Sequence, residues 1–109
     1  MKIQLTQWIM NKVFVYETLL DERTIKKIIG HEVTLIPLKI KGLKEISKDL
    51  SKTETNYHTL IKSKNDIAEG AIFEVNDSDL LLLDKWENNY KRISLDLTNG
   101  DKIQTFVLK

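Results

Sequence analysis

The chain has 109 residues and a mass of 12.7 kDa, enough for one hydrophobic core and too little for two. Its 17 basic and 16 acidic side chains leave a formal charge of +1, so no long-range field draws it to nucleic-acid phosphates or anionic lipid. It contains no cysteine, which excludes disulfides, thiol nucleophiles and cysteinyl metal sites and fits a reducing cytoplasm.

Met1 to Met10 read as an addition in front of the domain, which is expected to occupy residues 12–109 after an N-terminal extension of residues 1–11. Gln4, Thr6, Gln7, Asn11 and Lys12 interrupt its apolar residues, so it makes neither a signal peptide nor a membrane span. An extra edge strand over Ile3 to Ile9 is the alternative. Val13-Phe14-Val15-Tyr16 is an apolar run of buried-strand type. Next, Asp21 suits a helix N-cap, Ile25, Ile28 and Ile29 recur at helical spacing, and Gly30 suits the C-terminal cap.

Glu32 to Ile46 is rich in β-branched and apolar residues but is interrupted by Pro37 and Gly42, the pattern of a bulged strand at a sheet edge. Lys39, Lys41, Lys44, Lys48 and Lys52 gather here, yet Glu45, Asp49 and Glu54 interleave with them, as on a mixed-sign solvated surface. Ser47 to Asn56 is polar and reads as a loop. Tyr57 to Ile61 and Ile67 to Val75 read as two strands separated by a turn at Lys64-Asn65-Asp66. Asn76-Asp77-Ser78-Asp79 opens a second helix with polar caps and favourable charge. Tyr90 to Leu97 alternates as a strand, Asn99-Gly100 is a two-residue hairpin signal, and Lys102 to Leu108 returns antiparallel. Strand, helix, three strands, helix and two strands make an α+β chain without the alternation of a doubly wound sheet.

Two places could carry chemistry. Glu87 follows Leu80 by seven residues and Leu83 by four, so it projects near their side at the helix end. A carboxylate at the rim of an apolar face loses hydration, and its pKa rises toward the range useful to a base. Periodicity alone favours the plainer reading, a surface glutamate at a helix end. The stretch Tyr16-Glu17-Thr18-Leu19-Leu20 joins a buried strand to a helix and can turn several backbone N–H groups toward one concavity. By itself it is also an ordinary connector. His31 and His58 have no partner at metal-ligand spacing along the chain, so no metal site is expected.

In order and spacing, four pieces resemble the γ-glutamylcyclotransferase-like family, which includes avirulence-induced homologues and γ-glutamylamine cyclotransferases. Val13-Phe14-Val15-Tyr16-Glu17-Thr18-Leu19 is similar to that family's opening strand and its Tyr-Gly-Thr/Ser-Leu loop. Tyr57-His58-Thr59-Leu60-Ile61 continues the likeness, and Ile67 to Val75 is similar to the Val-x-Gly-x-Leu-Tyr-x-Val strand. Leu83-Asp84-Lys85-Trp86-Glu87 with Tyr90-Lys91-Arg92 follows Leu-Asp-x-Tyr-Glu and Tyr-x-Arg. The resemblance runs from about Lys12 to the C-terminus.

It implies a small mixed or antiparallel, barrel-like sheet with two short helices. It implies Glu87 as the catalytic base and Tyr16, Glu17, Thr18, Leu19 and Gly70 as substrate-binding positions. Tyr90, counted with them, and Arg92 are read as supporting because both point to one face of a strand beside Glu87. The implied reaction closes a γ-glutamyl group on itself, releasing 5-oxoproline and an amine or amino acid, and uses neither metal nor cofactor. The expected partner is therefore a small γ-glutamyl compound, with no nucleic acid or membrane involved, and the expected location is the cytoplasm. Two residues depart from the family pattern. Glu17 stands in place of the loop glycine, and Asn88 in place of the glycine that often follows the catalytic glutamate. Asparagine tolerates a left-handed backbone, whereas a side chain at residue 17 costs about 1–2 kcal/mol if φ is positive there. A metabolite-binding protein on the same fold, impaired in turnover by Glu17, is the competing expectation.

Overall fold

A computed structural model describes residues 11–49, 56–97 and 100–109. The expected N-terminal extension and the alternative strand at Ile3 to Ile9 lie outside the described residues, apart from Asn11, which opens the first strand. That strand, β1 (Asn11–Val15), leads through a 3-10 turn (Glu17–Leu19) into α1 (Glu22–Ile29). Then come β2 (Ile36–Asp49), β3 (Asn56–Val75), α2 (Asp77–Trp86), β4 (Tyr90–Asp96) and β5 (Lys102–Leu108). The five strands form one mixed sheet in the order β2-β3-β1-β5-β4, antiparallel except for the parallel β1–β5 pair. It curls into a half-barrel carrying two helices, the α+β architecture expected.

Both helices start and stop where local chemistry directs. The Asp21 carboxylate accepts from the Arg23 N–H at 3.0 Å and the Thr24 hydroxyl at 3.1 Å. Gly30 ends α1 at φ +86, a left-handed conformation that costs glycine nothing. At α2, Asn76 accepts from the Asp79 N–H at 2.8 Å while the Asp79 carboxylate accepts from the Asn76 N–H at 3.3 Å, a reciprocal capping box.

The alternation of β1 divides the core. Val13 and Val15 face the helices with Ile25, Ile29, Phe73, Leu80, Leu83 and Phe106. Phe14 and Tyr16 face the inside of the curl with Ile40, Leu60, Ala68, Ile103 and Val107. Both sides of β1 are therefore apolar, as its unbroken hydrophobic run requires.

Three expectations change at β2, β3 and the last hairpin. The turn expected at Lys64-Asn65-Asp66 is no turn: β3 runs unbroken for 20 residues. Lys41 pairs with Ile67 but Leu43 pairs with Lys62, so Ser63 to Asp66 face Gly42 alone as a bulge. The Ser63 hydroxyl donates to Asp66 within it, and Gly42 sits at φ +88. Polar residues that read as punctuation thus bend a continuous ribbon. Of the loop expected at Ser47 to Asn56, Ser47, Lys48, Asp49 and Asn56 belong instead to the β2–β3 ladder, and residues 50–55 lie outside the described residues. The final hairpin closes with the Leu97 N–H donating to the Asp101 carbonyl at 2.8 Å, leaving three residues between the paired ends rather than two. Gly100 is at φ +91, as three-residue hairpins with a left-handed last position require.

The bulge is what positions the site. Beyond it, the first half of β3 swings over the far edge of the sheet, where the Leu108 N–H donates to the Thr59 hydroxyl at 3.0 Å and the Tyr90 hydroxyl donates to the His58 carbonyl at 2.7 Å. Among the described residues, no helix is long and apolar enough to cross a membrane.

Candidate active site

Glu87 is the residue immediately after α2 and caps it, its N–H donating to the Leu83 carbonyl at 2.9 Å. Its own carbonyl accepts from the Tyr90 N–H at 2.9 Å, turning the chain into β4. Only 9% of Glu87 is exposed, which sets aside the plain surface glutamate that periodicity favoured. Burial pushes its pKa up to about 7. A carboxylate titrating there is half in its basic form at neutral pH and holds an abstracted proton strongly enough to pass it on.

Tyr16 projects into the same neighbourhood. Its hydroxyl donates to the Phe106 carbonyl. Burial raises the phenol's pKa, and the nearby Tyr90, Glu87 and Glu45 push the same way against a hydrogen bond with Thr59. The phenol stays protonated and polar beside the buried carboxylate. Tyr16, Tyr90 and Glu87 thus gather in one neighbourhood, all three drawn from the ends of different elements.

The other expected site residues have varied places. Glu17 opens the 3-10 turn at φ +54, so the condition under which a side chain is costly here is met. Its carboxylate lies 3.4 Å from His58 Nδ1. Leu19 is buried among the helix-side core residues, so its side chain packs the fold. The side chain of Thr18 lies outside the described residues. Gly70 is pressed against β1: a Cβ there would stand 2.2 Å from the Val15 carbonyl oxygen and 2.7 Å from the Phe14 ring. The close approach at Gly70 is therefore by protein. Arg92 reaches the Asp84 carboxylate at 3.5 Å, tying β4 to the last turn of α2 just before Glu87.

Two residues beside this site escaped the sequence reading. Glu45 Oε2 is 2.9 Å from His58 Nδ1, and burial, followed by the neighbouring Glu17 carboxylate, raises the pKa of Glu45. The ligand atoms of Glu17, Glu45 and His58 all lie within 4.8 Å of one another, a spacing at which they could hold a metal ion. Sequence spacing hides this group because the ladder makes it. Glu45 is the register partner of Leu60, two residues from His58, so Glu45 and His58 are diagonal neighbours on one sheet face. The other histidine, His31, pairs through Nε2 with the buried Asp79 at 2.9 Å, on the helix side of the sheet.

A cavity of about 400 Å³ opens at the bulge, lined by residues that include Gly42, Leu43, Lys62, Lys64 and Leu95. It joins β2 to β4 across the curl, but sits at the opposite end of β4 from Tyr90 and Glu87. At about 3.4 Å per residue, five residues of strand place them roughly 17 Å apart. This cavity and the carboxylate are separate places.

Among protein families, the one described as gamma-glutamyl cyclotransferase, AIG2-like, matches residues 13–108. Among solved structures, a gamma-glutamyl cyclotransferase superposes with a TM-score of 0.75 and 17% identity, over 92% of this chain and 67% of that one. A protein of Arabidopsis thaliana known from a solution structure gives 0.72 and 21%, over 91% of this chain and 62% of that one. An uncharacterised protein of Homo sapiens gives 0.74 and 18%, over 92% and 67%. At these identities the likeness shows a common fold, and the chain spans about two thirds of the length of each. No curated protein sequence matches it.

Proposed function

The chain belongs to the gamma-glutamyl cyclotransferase, AIG2-like family, and from that premise we propose that it cyclises a γ-glutamyl amine or peptide, with Glu87 as general base. The observation that carries this reading is a buried carboxylate with a pKa of about 7 at the family's catalytic position. The substrate's α-ammonium gives a proton to Glu87. The freed amine attacks the γ-carbonyl carbon, a C–N bond closes the five-membered ring, and negative charge develops on the carbonyl oxygen. Backbone N–H groups of the Tyr16–Leu19 turn stabilise that oxygen. As the bond to the leaving nitrogen breaks, the proton held by Glu87 passes to it. The ring nitrogen, still carrying one extra proton after attack, gives it to the freed carboxylate and through it to solvent, leaving the neutral lactam and the released amine. Holding the flexible glutamyl chain curled supplies proximity, for which well-oriented systems gain up to roughly 7–11 kcal/mol.

The test is to incubate the protein with a panel of γ-glutamyl peptides and γ-glutamylamines and assay 5-oxoproline. Release by the native chain that Glu87→Gln removes is the expected result. Silence across the panel from folded protein would sink the proposal for these substrates.

Glu17 is the residue most open to improvement. Its left-handed φ costs about 1–2 kcal/mol, part of which glycine's greater freedom in the unfolded chain offsets. Glu17→Gly is expected to raise stability by up to about 1 kcal/mol in a urea titration of metal-free protein. It should also raise 5-oxoproline release by withdrawing a negative charge from the turn. Unchanged or slower release would show that Glu17 is no obstacle to the substrate.

A further inference from the structure

We infer that Glu17, Glu45 and His58 form a site for one divalent transition-metal ion, zinc foremost, at the rim of the Tyr16–Leu19 turn. The three side chains come from the turn after β1, the distal half of β2 and the first half of β3. They meet only because the ribbon bends at Gly42. His58 Nδ1 stands 2.9 Å from Glu45 Oε2 and 3.4 Å from Glu17 Oε1. Ligand atoms around a tetrahedral zinc are about 3.3–3.5 Å apart. Around a six-coordinate cation with shorter-range oxygen ligands the corresponding separation is about 3.0 Å. The two observed distances are of this order, and all three ligand atoms lie within 4.8 Å of one another, so side-chain rotation would bring them onto one ion.

The donor set also selects the ion. One imidazole nitrogen with two carboxylate oxygens suits zinc or manganese; it lacks the thiolates that favour copper(I) and the all-oxygen cage of calcium. The lysine and arginine ion pairs of the described residues are made elsewhere, with Asp101, Glu32, Glu69 and Asp84. The cluster therefore keeps a negative charge that a cation neutralises. His58 would coordinate through Nδ1, and the part-exposed side chains leave a further position for water. Bound metal would fasten the turn carrying Tyr16 to the β2–β3 arm. It would stabilise the fold by mass action, because the three ligands converge only in the folded chain.

The experiment uses the full chain after chelator treatment, with Zn²⁺ followed by calorimetry and Mn²⁺ as a paramagnetic probe of the two histidines by NMR. Expected are one Zn²⁺ per chain and broadening of His58 before His31, whose pairing with Asp79 makes it the internal control. Changing an outer-shell partner of a metal commonly costs roughly 10–100-fold in affinity, so loss of a ligand should cost at least that. Glu45→Gln and Glu17→Gln are each expected to show it, with folding checked by circular dichroism. Stoichiometry well below one, equal broadening of both histidines, or native affinity in the folded double variant would overturn the site. The native-chain spectra decide the matter even if a variant unfolds. No substrate enters the measurement, so its result is independent of the role of Glu87.

Discussion

Glu87→Gln is expected to abolish 5-oxoproline release while making the protein more stable at pH 8. Losing a positioned general base typically costs about 10²–10⁴ in rate. The native kcat/KM should rise about tenfold per pH unit below pH 7 and level off above it, because the base form of Glu87 forms through a pKa of about 7. The stability effect has the opposite sign. A glutamate whose folded pKa lies above its unfolded value of 4.5 binds its proton more tightly when folded. Its contribution is therefore harmless below pH 4.5 and becomes increasingly unfavourable between pH 4.5 and pH 7. At about 1.4 kcal/mol per pH unit the penalty above pH 7 is about 3 kcal/mol at most, on the order of 10 °C in Tm for a chain of this size. Thermal melts of both proteins at pH 4 and pH 8 check this. The curves should nearly coincide at pH 4, with the variant melting higher at pH 8. A variant less stable at pH 8 would show that the carboxylate is held by favourable contacts, and the raised pKa would lose its basis.

Gly70→Ala should be the most damaging small substitution in the fold. The added methyl meets the Val15 carbonyl oxygen at 2.2 Å, and neither the strand backbone there nor the buried Phe14 ring can turn aside cheaply. Overpacking commonly costs 1–3 kcal/mol, and a clash with backbone belongs at or above the top of that range, about 3 kcal/mol or more. Val15 leads directly to Tyr16, so displacement of β1 should also disturb the turn beside Glu87. Gly42→Ala is the useful contrast: nothing lies within 4 Å of its Cβ position, and only its φ of +88 is at stake. That variant should lose about 1–2 kcal/mol. Urea midpoints for the two variants compare them directly, and equal losses would mean that β1 yields easily at Gly70.

The residues most legible in sequence were those whose environment is set nearby. Asp21, Gly30 and Asn76 announce helix ends because capping uses side chains and backbone within a few residues. The bulge at Gly42 was legible for the same reason, since glycine relaxes a positive φ locally. Its partner was not. Ser63 to Asp66 have turn chemistry, and only the ladder on both sides keeps them in one strand. Tertiary pairing overrode local preference there.

The acidic residue with which the second helix ends shows the division most clearly. Sequence alone determined that Glu87 closes an apolar helix and stands in the family's order of motifs. Burial depends on the whole curl of the sheet, so only the tertiary structure decided that this carboxylate is desolvated and titrates near neutrality. The same holds for Glu17, Glu45 and His58. Their types are written in the chain, but their juxtaposition is made by a strand register and a bend, which bring together groups separated by 13 to 41 residues.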